Sequence, residues 1–430
     1  MQFLIEHGGL VFAIACCCGF FMAWGIGAND VANAMGTSVG SRALTLKQAI
    51  VLAAIFEFAG AFLAGGEVTS TVRKGILDMD AMALVPDAPA LMVYGMLGAL
   101  LAAGFWLLFA NWMGWPVSTT HSIVGAILGF GVVGFGNEIV KWDKVGSIVI
   151  SWVVSPVLAG TIAFVLFKSV QKFILAQEKP FEQAKRVMPL YLFLVGFIIV
   201  QVTVQKGLKH VIKDRAIEIT FEQSLVYGLV GGVILGIVGM IGLRKIQDKT
   251  EMRGDMAFNG VERICGYLMI FTACSMAFAH GSNDVANAVG PMAAIVSVVK
   301  EGGTLVGKTA MPTWILLVGA MGIVLGLSTL GFRVMKTIGE KITELTPSRG
   351  FSAELAAAGT VVLASGQGWP ISTTHTLVGA VLGVGLAQGA KKLDLSVVGK
   401  IFLSWIVTLP AGAGLAIIFF YLFKAVLGGT

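Results

Sequence analysis

Apolar runs of membrane length, separated by short polar breaks, fill most of the chain. A spanning helix needs about 20 mostly apolar residues, and such runs fall near 9–34, 46–66, 90–112, 145–168, 188–206, 222–243, 262–290, 312–330 and 397–425. Shorter apolar pieces near 116–135, 352–366 and 370–388 read as partial or re-entrant helices. The pattern predicts an all-α polytopic membrane protein with about ten to twelve membrane segments.

Two polar strings interrupt this apolar background, and each is written twice. Gly27-Ala28-Asn29-Asp30-Val31-Ala32-Asn33-Ala34 returns as Gly281-Ser282-Asn283-Asp284-Val285-Ala286-Asn287-Ala288. Gly114-Trp115-Pro116-Val117-Ser118-Thr119-Thr120-His121 returns as Gly368-Trp369-Pro370-Ile371-Ser372-Thr373-Thr374-His375. The acidic and hydroxyl strings are 88 residues apart in both copies (118 − 30 and 372 − 284), so the chain is a tandem duplication with an offset of 254 (284 − 30). Residues 1–167 form one repeat, 262–430 the other, and 168–261 a connector with two spans and basic loops. Beyond the strings, Gly36 matches Gly290 and Pro156 matches Pro410, while Trp152 and Trp405 are one place out of register. Hydropathy leaves open whether the repeats run parallel or inverted.

Composition narrows the class. Charged residues make up 13% of the chain and hydrophobic ones 56%, against about 25% charged in soluble domains, so most of the surface meets the lipid bilayer. The 56 glycines suit close helix packing in lipid. The net charge of +6 sits in short loops, Lys168 to Arg186 and Arg244 to Arg263, which by the positive-inside tendency mark the cytoplasmic face rather than a nucleic-acid partner. Lys206 to Arg215 then faces outward although it too is basic. Glu6 and His7 stand where a signal peptide would be basic. Cys16, Cys17, Cys18, Cys265 and Cys274 lie in apolar spans without metal-ligand spacing and read as packing residues.

The acidic strings place Asn29 and Asn33, or Asn283 and Asn287, one helical turn apart, with Asp30 or Asp284 beside them. A carboxylate in mid-membrane costs about 2.5–3.5 kcal/mol, and neither string holds a lysine or arginine. A bound cation or a proton is the expected partner, and these oxygens are hard ligands suited to sodium. In the hydroxyl strings, proline followed by Ser-Thr-Thr opens an apolar helical stretch. The first N–H groups of a helix have no internal partner and carry partial positive charge, so two such starts make an anion cradle without fixed cations. Anion and cation side by side offset each other's burial, which predicts cation-coupled anion transport. A channel is disfavoured because the symmetry lies within one chain, and ATP-driven transport because no GxxxxGK[ST] loop is present. Adjacent Thr120 and His121 do not make a nucleophile–base pair, so no enzyme and no organic cofactor is expected.

With both strings in place, the chain resembles the inorganic phosphate transporter family of sodium- or proton-coupled phosphate symporters. The resemblance runs nearly end to end. It implies two inverted repeats, half-helices at their interface and a homodimer. It places phosphate among Asn29, Ser118, Thr119, Thr120, Asn283, Ser372, Thr373 and Thr374. It places the coupling cation, sodium before proton, near Asp30, Asn33, Asp284 and Asn287. Two further membrane acids, Glu57 and Glu354, match functional acids of the family. At the 254-residue offset they stand opposite Met311 and Leu100, so neither has an acidic mirror. Sulfate is the rival oxyanion, but it has no proton to offer Asp30 or Asp284.

Overall fold

The computed structural model describes residues 6–74, 76–204, 219–246, 260–304, 312–366 and 371–428. Gly368, Trp369, Pro370, Met311, the basic stretch 206–215 and most of the loop before Arg263 lie outside the described residues. Helices dominate: α1 (Gly8–Gly40), α2 (Leu46–Lys74), α3 (Ala88–Met113), α4 (Thr119–Phe135), α5 (Trp142–Val170), α6 (Pro180–Val202), α7 (Phe221–Arg244), α8 (Gly260–Lys300), α9 (Thr313–Thr329), α10 (Gly331–Lys336), α11 (Pro347–Gly366), α12 (Thr373–Gln388) and α13 (Leu395–Leu427).

Among the described residues, eight helices are long and apolar enough to cross a membrane, or nine if α9 and its continuation to Lys341, bent by 61°, form one span. The protein is a multi-pass integral membrane protein. The helices overrun several of the apolar runs that announce them. The first run ends at 34, yet α1 continues to Gly40; the run 262–290 becomes the 41-residue α8. The turns added to α1 hold Gly36, Thr37 and Ser38, buried between neighbouring helices where the fold rather than lipid solvates them, whereas those added to α8 are mostly apolar and buried as well.

The equivalent helices α1 and α8 run antiparallel. Gly8 lies near Val299, Gly19 against Met292, and Ser41 donates to Met269 Sδ at 3.3 Å. The repeats are therefore inverted. Their contacts are exchanged in kind: α1 packs on α9 and α8 on α2, while α4 packs on α13 and α12 on α5. Neither repeat buries its own interior alone.

Close glycine contacts give the register of this exchange. Gly281 meets the backbone of Glu57 as Gly27 meets that of Ile323, and Gly60 meets Phe278 as Gly326 meets Trp24. Each approach is too near for a Cβ. The offset between α2 and α9 is thus 266 (323 − 57 and 326 − 60), twelve more than elsewhere. The extra residues precede α9, so the counterpart of Glu57 is Ile323 rather than Met311.

One hairpin completes each half. Helix α3 ends beside the middle of α1, where Asn111 Nδ2 donates to Gly25 O at 3.3 Å. Gly114, with φ +67°, turns the chain back in a left-handed conformation that glycine adopts without strain. Helix α4 returns to Leu77, on the face from which α3 entered. The pair α11 and α12 repeats the arrangement from the other face. There Glu262 on α8 accepts from Ser348 N at 2.7 Å and from its hydroxyl at 2.8 Å. Helices α6 and α7 pack antiparallel, with Gly196 on Gly231 and Gly239 on Leu192, so the basic ends at Lys168 to Arg186 and at Arg244 share one face.

Candidate functional site

Ser118 and Ser372 are the N-caps of α4 and α12, with extended backbones of almost identical torsions, φ −86° ψ 119° and φ −87° ψ 118°. Each side chain accepts from the N–H of the histidine three residues on, at 3.3 Å and 3.2 Å. The caps free the threonines of the first turn for other work. Both helix starts are buried.

The hydroxyl string of each repeat meets the acidic string of the other, and in the second repeat it also meets its own. Asn33 Nδ2 donates to Thr374 Oγ1 at 2.8 Å and to Asp30 Oδ1 at 3.1 Å. Thr374 Oγ1 faces Asp30 Oδ1 and Val117 O, both at 3.2 Å. Across the pseudo-two-fold axis, Asn287 Nδ2 reaches Thr120 at 3.3 Å and Thr119 at 3.4 Å. Thr373 Oγ1 donates to Asp284 Oδ2 at 3.0 Å, and Asn283 Nδ2 to Asp284 Oδ1 at 2.7 Å. Residues more than 80 positions apart thus converge on one buried cluster because the inverted repeats interleave.

Asn29 stands apart. Its Nδ2 donates to Asn111 Oδ1 at 2.6 Å and to Trp115 O at 3.0 Å, and its Oδ1 accepts from Val117 N at 3.1 Å. Both amide protons are committed to the turn between α3 and α4. Here Asn29 holds the hairpin that carries Ser118 and Thr119, a task its place in the acidic string does not announce.

His280 lies one residue before the second acidic string and was not among the sequence candidates. Its Nε2 lies 2.8 Å from Asp284 Oδ2 and 3.6 Å from Asp30 Oδ2, and its Nδ1 3.4 Å from Glu57 Oε2. All four side chains are buried. These approaches miss hydrogen-bonding directions, so both ring nitrogens, both Glu57 oxygens, Asp30 Oδ2 and Asn33 Oδ1 have no hydrogen-bond partner. Single ligand atoms of Asp30, His280 and Asp284 lie within 4.8 Å of one another, a spacing that suits a shared cation. The signal in the sequence is the interval of four from His280 to Asp284, one helical turn.

Glu354 occupies a second buried nest, one to two turns along α1 from Asn33. Thr37 and Thr272 each donate to it at 2.5 Å, and Ser38 at 2.7 Å. Neither it nor Glu57 reaches interfacial water, the alternative open to acids near helix ends. The hydroxyls lie on α1 and α8, outside the repeated strings. His121 and His375 turn away from the aspartates. Their rings lie 4.3 Å apart and pack on Trp152 at 3.4 Å and Trp405 at 3.6 Å, so the two tryptophans are structural counterparts despite their shift in register.

The description "Phosphate transporter family" fits the chain over residues 26–416, which takes in both copies of both strings. The chain belongs to this phosphate transporter family. A putative phosphate permease of Haemophilus influenzae is 49% identical over 429 residues, covering 99% of this chain and all of the relative. The chloroplastic inorganic phosphate transporter 2-1 of Arabidopsis thaliana is 43% identical, covering 99% of this chain and 73% of its own length. A solved structure described as the sodium-dependent phosphate transporter superposes with a TM-score of 0.85 at 41% identity, over 97% of this chain and all of that one.

Proposed function

We propose that the protein carries inorganic phosphate across the membrane by symport with a cation, sodium, through alternating access. The observation that carries this reading is the convergence of Thr119 and Thr120 on Asn287 and of Thr374 on Asn33 and Asp30, all across the repeats, joined by Thr373 on Asp284 within the second repeat. An anion at the helix starts lies against carboxylates, and this is favourable only with a cation between them. Coulomb energy at such range is about 4 kcal/mol per unit pair at an effective dielectric constant of 20. Each ligand therefore raises the affinity for the other, as coupling requires. Ser118, Thr119, Thr120, Ser372, Thr373 and Thr374 with the adjoining N–H groups hold the phosphate. Asp30, Asn33, Asp284 and Asn287 hold the cation. Asn29 and Asn283 shape the cradle.

A protonated phosphate oxygen donates to Asp30 or Asp284, an interaction that sulfate near neutral pH does not offer. With charges paired, the interleaved repeats exchange the roles of their two hairpins and expose the site to the other face. The basic-loop face is cytoplasmic in this scheme.

The test is labelled phosphate uptake into proteoliposomes under an imposed sodium or proton gradient, with excess unlabelled sulfate. Sodium-driven uptake that sulfate leaves unchanged is the expected outcome. Uptake driven by protons alone moves the aspartates to proton carriage, and uptake under neither gradient overturns the symport.

A further inference from the structure

Helices α2 and α9 are counterparts that part company at the depth of the acidic strings. Gly65 on α2 lies against Val285 as Gly331 on α10 lies against Val31, so the two repeats keep one register to that point. Beyond it α2 continues as a single helix to Lys74. In the second repeat the helix stops at Thr329, resumes at Gly331 bent by 61°, and passes through α10 into a π turn, Thr337–Lys341. Ser328 and Thr329 donate their hydroxyl protons back to Val324 O at 2.7 Å and Leu325 O at 2.9 Å, bonding of a kind that bends helices. A π turn inside a helix is rare and is found mostly at functional sites.

The bent segment lies between the site and the face of the basic loops. Ile338 packs on Gly36 and Gly339 on Gly40, at the end of α1 that meets Met269 near the start of α8. From there it reaches across to the first hairpin. Arg333 Nη1 donates to Trp112 O at 3.2 Å, and Thr337 Oγ1 to Gly114 O at 2.8 Å. Both acceptors sit at the C-terminal end of α3, where carbonyls lack partners within the helix and a cation is favoured. The same seam between the repeats holds the contact of Thr374 Oγ1 with Val117 O at 3.2 Å. Thr374 and Asn29, on this side of the site, are buried, whereas their mirrors Thr120 and Asn283 are only half-buried. The cradle is thus sealed more tightly toward the basic-loop face than toward the other.

We infer that α10 with its π turn is the gate on the basic-loop face, that Arg333 and Thr337 latch it to the turn of the first hairpin, and that cargo leaves toward this face only when the latch opens. This rests on the alternating-access reading above and names the moving part. The break at Leu330 and the π turn are the hinges, since a few residues at the ends of elements absorb the backbone change in such closures. Two hydrogen bonds to backbone carbonyls hold firmly enough to seal and weakly enough to exchange for water. Thr337 and Arg333 are positioning residues: they touch neither phosphate nor cation, and act on the turn that leads into Ser118.

The experiment uses the full-length protein in a background without the native cysteines. A Cβ on Gly114 would lie 3.4 Å from Thr337 Oγ1, within disulfide reach, so Gly114→Cys is paired with Thr337→Cys and each single variant serves as control. Oxidation of the pair is expected to stop phosphate uptake into proteoliposomes, and a reductant to restore it, while equilibrium binding of labelled phosphate in detergent persists. In parallel, Val117→Cys on the seam is labelled from the basic-loop face with an impermeant maleimide. Loss of one latch bond shifts a two-state balance by roughly two- to tenfold, so Thr337→Val and Arg333→Ala are each expected to speed this labelling by that factor. Undiminished uptake by the cross-linked pair overturns the inference, as does unchanged labelling in both latch variants. Joint loss of binding and uptake on oxidation would mean that the pair shapes the cradle rather than gates it, and overturns it too. Absence of uptake by the uncross-linked protein overturns the transport reading instead, and labelling still reports whether α10 opens. If the cysteine pair does not assemble, the labelling arm decides alone.

Discussion

Glu354 shows what one carboxylate asks of its neighbours inside a bilayer. Three hydroxyls from α1 and α8 donate to it, and bonds to a charged acceptor contribute about 1.5–3 kcal/mol each. Glu354→Leu leaves Thr37, Ser38 and Thr272 without that acceptor and is expected to lower the melting temperature measured by intrinsic fluorescence. Glu354→Gln, which keeps an acceptor oxygen, should lose less. Asn29 makes a different demand. Asn29→Ala strands Val117 N–H and an Asn111 oxygen, at a cost of about 1–3 kcal/mol per buried unpaired group. Since the stranded groups belong to the turn carrying Ser118, phosphate uptake is expected to fall more steeply than sodium affinity. Equal loss of both would assign Asn29 to the cation side. Such a residue is hard to read from a string: Asn29 and Asn33 are alike in sequence and share a helix, yet one faces its own repeat and the other the opposite one.

At the level of elements, the sequence makes the half-helices legible, because proline, a capping serine and an apolar run specify a helix start wherever it lies. Ser372→Ala is expected to cost about 0.5–2 kcal/mol and to weaken phosphate uptake by disturbing the start of α12. Full thermal stability with unchanged uptake would show that the cap is dispensable. The exchange of partners between repeats is less legible, since it depends on glycines whose significance appears only when a second backbone arrives. Gly27 and Gly281 are cases in point. Gly27→Leu places a side chain into the Ile323 backbone, and overpacking of this kind costs about 1–3 kcal/mol or more. Loss of monodisperse protein, rather than selective loss of transport, is the expected readout. The constant offset of 254 also misleads in this layer, because the twelve residues inserted before α9 carry the counterpart of Glu57 from Met311 to Ile323.

At the scale of the molecule, the duplicated strings reveal the site's ingredients but not its wiring. The equal spacing within each copy pairs Asp30 with Ser118 and Asp284 with Ser372; the interleaved fold brings Asp30 to Thr374 of the other repeat while Asp284 meets Thr373 of its own. His280 escapes notice for a related reason: attention falls on what is repeated, and this residue matters where the repeats differ. The inversion itself has a direct test. Asn137 follows α4 and Lys391 follows α12, both exposed and at opposite ends of the molecule. Asn137→Cys and Lys391→Cys, each in a background without the native cysteines, are expected to react with a membrane-impermeant maleimide from opposite faces of the bilayer. Labelling from the same face would refute the inverted arrangement.

The two half-helices α4 and α12 begin near one point and run to opposite faces, so their dipoles oppose along the membrane normal. The protein's own field at the site is then nearly balanced with respect to voltage, and the membrane potential acts on the cargo. One net charge crossing the full bilayer gains or loses about 2.3 kcal/mol per 100 mV. A site at mid-depth divides that drop between its two access paths. In the symport proposed above, loading and release would feel the potential through the net charge of phosphate plus cations, and a complex carrying one extra sodium would be drawn inward electrically by a cell that is negative inside.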